Sequence, residues 1–118
     1  MTFDYPNSDV LLEAALREQL FPKLVAQLRK DFGLANIPIE IPNSLDSKAL
    51  SSLIHEKVYY LILEKFDEYL QLLYVIDVPE KAFKHIHMTD VVEVAEQMTL
   101  LILRRELQKV WYKKKYTP

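Results

Sequence analysis

Glycine is nearly missing from this chain: Gly33 is the only one in 118 residues. From Asn43 to Val78 there is neither glycine nor proline, and the same holds from Glu80 to Thr117. Strand-and-turn folds need glycine where the backbone takes positive φ, whereas helices need almost none. Two long, uninterrupted and strongly apolar stretches therefore predict an all-α fold, a compact up-and-down bundle of about four helices. One domain spanning 1–118 is expected, ending in a basic segment, 104–118.

Punctuation and period place the helices. Pro6-Asn7-Ser8-Asp9 reads as a helix entry, with capping side chains and an early acid. After it Val10, Ala14, Phe21, Val25, Leu28 and Phe32 share one helical face, and Gly33 is expected to stop the helix. Pro22 interrupts this pattern, which favours two short helices nearly in line. Between residues 34 and 43 the period changes. Ile37, Ile39 and Ile41 alternate with Pro38, Glu40 and Pro42, the mark of an extended segment. It reads as a loop laying three isoleucines on the bundle, or as a strand that pairs with a partner.

A second, long helix is predicted from about Ser44–Ser47 to Ile76. Glu56, Lys57, Glu64, Asp67, Glu68 and Gln71 form its narrow polar side. The rest is apolar, including Leu50, Leu53, Ile54, Val58, Leu61, Ile62, Phe66, Tyr69, Leu70 and Leu73, so it is expected to be the central helix. Asp77-Val78-Pro79 ends it, and a short helical turn follows within 80–88. The last helix opens at Thr89 or Asp90, where Asp90-x-x-Glu93 resembles a capping box. It carries two apolar stripes. Val91, Val94, Ala95, Met98, Leu101 and Ile102 form one. Leu100, Leu103, Leu107 and Trp111 form the other, which needs its own cover: the N-terminal helices or a second copy of the chain. The two accounts stand level, and the expectation of a homodimer rests on the second.

Charge is uneven. The formal net charge is −2, but residues 1–103 hold nine basic and sixteen acidic side chains, a balance of −7. Residues 104–118 hold six basic and one acidic, a balance of +5. The cations Arg104, Arg105, Lys109, Lys113, Lys114 and Lys115 interleave with Trp111, Tyr112 and Tyr116. They read first as a helix end complementing the dipole and pairing with the acidic body. The alternative is an anion-binding surface for nucleic acid, or for an anionic membrane face.

Chemistry is thinly represented. There is no cysteine, which removes disulfides, thiolate nucleophiles and sulfur-ligated metals. His85-x-His87 with Asp90 and Glu93 has metal-ligand residue types, but on a helix positions two apart diverge. They read as loop histidines, with a metal-dependent enzyme at His85, His87 and Asp90 as a distant third possibility. His55 reads as a hydrogen-bonded core residue, and Glu64, Asp67 and Glu68 as a solvated face. No stretch is apolar enough to span a membrane and the N-terminus does not read as a signal peptide, so a cytoplasmic location is expected. The function expected is a non-catalytic protein-interaction module, self-associating, without a cofactor. The alternative is a nucleic-acid-binding protein that uses the basic aromatic helix end.

Overall fold

The computed structural model describes residues 2–84, 86 and 90–116. Among them the chain forms six helices and no strand: α1 (Ser8–Arg17), α2 (Phe21–Leu34), α3 (Ser47–Glu64), α4 (Phe66–Ile76), α5 (Glu80–Phe83) and α6 (Val91–Tyr116). The class is the all-α one expected, with two more helices than the expected four. The chain breaks between α1 and α2, and again inside the predicted long helix.

Three entries, those of α1, α3 and α6, carry a side-chain cap, whereas α2 and α4 begin without one. Asn7 accepts the Val10 amide at 2.9 Å, Asp46 the Ala49 amide at 2.8 Å, and Asp90 the Val92 amide at 2.9 Å. These bonds satisfy donors that a helix leaves unpaired in its first turn.

The exits differ from the expectation. Gly33 does not stop α2. It lies within the last turn and does not take positive φ. The left-handed position falls instead on Asn36, with φ of 60°. The Ile37 amide reaches back to the Phe32 carbonyl at 2.9 Å and the Asn36 amide to the Gly33 carbonyl at 3.1 Å, the two bonds of a Schellman motif. The same motif closes α1 around Gln19, with φ of 59°: Leu20 bonds to Ala15 at 2.8 Å and Gln19 to Leu16 at 3.1 Å. Asp77, with φ of 69°, ends α4, and Val78 returns to Leu73 at 3.1 Å. In each case the residue after the left-handed one is buried: Leu20, Ile37 and Val78. Apolar anchoring thus holds three non-glycine residues in a conformation that glycine would take without strain.

The predicted long helix is two helices, divided at Lys65 (φ −140°, ψ 57°). A straight helix over the predicted 33 or so residues would run about 50 Å, longer than the 41 Å of the whole molecule. After the break α4 packs on α2 and α6, whereas α3 packs on α1 and α6. The break also redirects side chains. Tyr69, Leu72 and Leu73 are buried, while Phe66 and Leu70, expected in the apolar arc, are exposed. In α1 the buried positions are Leu11, Leu12, Ala14 and Ala15, with Val10 only half-buried.

The centre of the fold is α6, not the middle helix. It touches each of the other five helices, and its buried residues run from Val94 to Val110. The Ile/Pro segment is a loop over the bundle. Ile37 and Ile41 are buried and Ile39 is half-buried. Arg29 pins this loop from α2 by donating to the Ile41 carbonyl and, at 2.9 Å, to Asn43.

Candidate functional site

The second apolar stripe of α6 is covered within the chain. Leu103 and Leu107 have no exposed surface, and Leu100 and Trp111 are half-buried. This corrects the reading of that stripe as a dimer surface: with α1, α2, α3 and α4 all packed on α6, no face near Leu103 and Leu107 is left for a second copy. Trp111 packs edge-on against Phe3, centroids 5.9 Å apart, and the Lys115 ammonium lies 4.6 Å over its ring.

The six cations at this end divide into two groups. Arg104 faces Asp4 at 3.9 Å, Arg105 pairs with Asp77 at 3.2 Å, and Lys109 pairs with Asp31 at 2.8 Å. For these three the acidic body supplies partners, as the charge pattern implies. Lys113, Lys114 and Lys115 have no carboxylate within ion-pair distance among the described residues. Lys113 and Lys114 instead line a groove of about 460 Å³ between α2 and α6, together with Lys23, Ala26, Gln27, Lys30 and Val110. The helical spacing builds it. Residues 23, 26, 27 and 30 share one face of α2, and 110, 113 and 114 share one face of α6.

Beside that groove lies a buried cluster that residue spacing does not announce. Asp31 and Glu106, 75 positions apart in the chain, meet under Lys109. Asp31 accepts from Lys109 and from Gln27 at 3.2 Å, and Glu106 is fully buried with Lys109 3.2 Å from its Oε1. Burial works against the Asp31 carboxylate, but hydrogen bonds from Glu106, Lys109 and Gln27, with the Lys109 charge, hold its pKa below the ordinary value. Glu106 goes the other way. Burial first, and then the neighbouring Asp31, push it up to about 9 against the pull of Lys109. No donor meets either Glu106 oxygen in hydrogen-bond geometry. A protonated Glu106 resolves this by donating to Asp31. At neutral pH the trio is then one carboxylate, one ammonium and one neutral acid, with no net charge.

A different surface is apolar. On α4, Phe66, Leu70 and Tyr74 follow at intervals of four and form an outward ridge, with Leu63 at the end of α3 leading into it. Tyr74 is 81% exposed and the other three about half. Beside the ridge lies a shallow groove of about 530 Å³ lined by Leu73, Val75, Asp77, Val78 and Phe83 as well as Leu70 and Tyr74. Glu64 and Asp67 are exposed at the ridge's start, as the expected solvated face requires, while Glu68 is half-buried.

The histidine candidates give little. His85 and His87 lie outside the described residues. Asp90 caps α6, and His55 donates from Nε2 to the Val92 carbonyl at 3.1 Å, tying α3 to α6. Among the described residues no three His, Asp or Glu side chains gather as a metal site, and no helix is long and apolar enough to cross a membrane. No family model, curated protein or solved structure matches the chain.

Proposed function

We propose that this protein is a non-catalytic helical interaction module that associates with a second copy of itself through the outer face of α4. The observation that carries the reading is the exposed Phe66–Leu70–Tyr74 ridge. A two-fold interface uses the same patch on both protomers, so that patch needs both a projection and a recess. Here Tyr74 projects beside the groove floored by Leu73, Val78 and Phe83. Apolar aromatic residues at an interface centre with acids at its edge are the usual arrangement. The self-association expected from the sequence is kept, and its surface moves from the second stripe of α6 to α4.

Sedimentation at tens of micromolar tests it. The wild type should run as a dimer of the 13.9 kDa chain. Leu70→Glu should run as a folded monomer, since Leu70 is half-exposed and its replacement leaves the core intact. A wild type that stays monomeric at these concentrations, or a Leu70→Glu dimer as tight as the parent, overturns the reading.

A further inference from the structure

We propose that the groove between α2 and α6 is a binding site for a chain of phosphate groups. Four lysines line it, Lys23 and Lys30 from α2 and Lys113 and Lys114 from α6, with the Lys114 ammonium also 3.5 Å from the Glu18 carbonyl, and no carboxylate is among its lining residues. The acid closest at hand in the sequence of α2, Asp31, is taken up by Lys109, Gln27 and Glu106. Positive side chains on both walls of one groove, with no carboxylate among its lining residues, favour an anion that bridges the two helices. This happens in a protein whose first 103 residues are net acidic, so the concentration of positive charge is local to this end.

The shape favours serial phosphates over a single anion. Lys23 and Lys30 are seven residues apart on one helix, about 10 Å along its axis. The volume, about 460 Å³, lies in the ordinary range for a small-ligand site. Ala26 and Val110 are short enough to leave the floor open. Lysine ammoniums act as point charges toward phosphate, as in other phosphate sites built on lysine.

Serial phosphates come from a free polyphosphate or nucleotide, or from a single-stranded nucleic-acid backbone. The same end of α6 exposes Tyr112 and Tyr116, stacked at 6.1 Å and only 9° from parallel. They lie well over a quarter turn around α6 from the middle of the face that residues 110, 113 and 114 share, so a strand seated in the groove reaches them for base stacking only by wrapping the helix.

The test uses the full chain, calorimetry with inorganic triphosphate, and anisotropy of a labelled oligothymidine strand at low salt. Triphosphate should bind with a dissociation constant below about 1 mM. Lys30→Gln and Lys113→Gln, both exposed and therefore harmless to the fold, should each weaken binding about tenfold. Lys48→Gln, on the exposed first turn of α3, should leave it unchanged. Strand binding that triphosphate displaces identifies the backbone as the source, and the double lysine variant should then lower the salt slope by about 1.4, at roughly 0.7 per phosphate contact. Triphosphate binding without strand binding identifies the free ligand. No triphosphate binding, equal competition by polyglutamate, or indifference to Lys30 and Lys113 overturns the proposal. The α4 variants used for self-association lie on another helix, so the two ideas fail separately.

Discussion

Glu106 is the residue whose behaviour departs furthest from its ordinary chemistry. In the unfolded chain its carboxyl ionises near 4.5, and in the fold near 9, because burial and Asp31 both disfavour its charge. Folding therefore takes up a proton between those values. Stability falls as pH rises through that window, with a limiting slope of about 1.4 kcal/mol per pH unit. Asp31 has the opposite sign, since its lowered pKa contributes stability that is lost only as pH falls through its folded value. Glu106→Gln keeps the shape and the donor to Asp31 but needs no proton. Its urea midpoint should exceed that of the wild type at pH 8, and the difference should shrink toward pH 5. A variant less stable than the wild type at pH 8 would refute the protonated state. The two glycine-related positions make a paired test. Gly33 lies in a helix, and a methyl group on its Cα would meet nothing within 4 Å, so Gly33→Ala should stabilise by about 0.5–1 kcal/mol. Gln19 bears the left-handed strain that glycine avoids, so Gln19→Gly should stabilise by roughly 0.5 kcal/mol despite the entropy glycine adds to the unfolded chain. Thermal melts decide both.

At the scale of helices, burial sorts substitutions that look alike in the sequence. Leu61 sits inside α3 and is 1% exposed. Leu61→Ala should cost about 2–5 kcal/mol, measured by denaturant unfolding. Leu103 and Leu70 are both leucines on apolar helical stripes. Leu103→Glu should unfold the protein by placing an unpaired charge in the core, whereas Leu70→Glu should be tolerated. Circular dichroism separates the two outcomes, and a folded Leu103→Glu protein would contradict the buried position of that stripe. The helix entries were readable at Asn7 and, to within a residue or two, near Asp46 and Asp90, because a cap acts within three residues of its side chain. The exits were not. The motif at Gln19, Asn36 and Asp77 depends on where the following Leu20, Ile37 and Val78 are buried, which lies beyond local pattern. The break at Lys65 has neither glycine nor proline to announce it, and follows from the different neighbours of α3 and α4.

For the whole molecule, composition and period were enough to fix an all-α class, the extended character of the Ile37–Ile39–Ile41 segment and the concentration of positive charge near the C-terminus. Each is a local property, set by glycine scarcity, apolar spacing and charge along a few turns. Tertiary structure decided which apolar faces stay uncovered. Five helices surround α6, so its second stripe vanished into the core, while the break at Lys65 turned Phe66 and Leu70 outward. It also decided which charges meet. Lys23 and Lys30 read as ordinary solvated lysines until α2 lies beside Lys113 and Lys114, and Asp31 and Glu106 meet at Lys109 only because α2 and α6 are packed together. Coulomb energy and desolvation depend on distance in space, and a sequence records only distance along the chain.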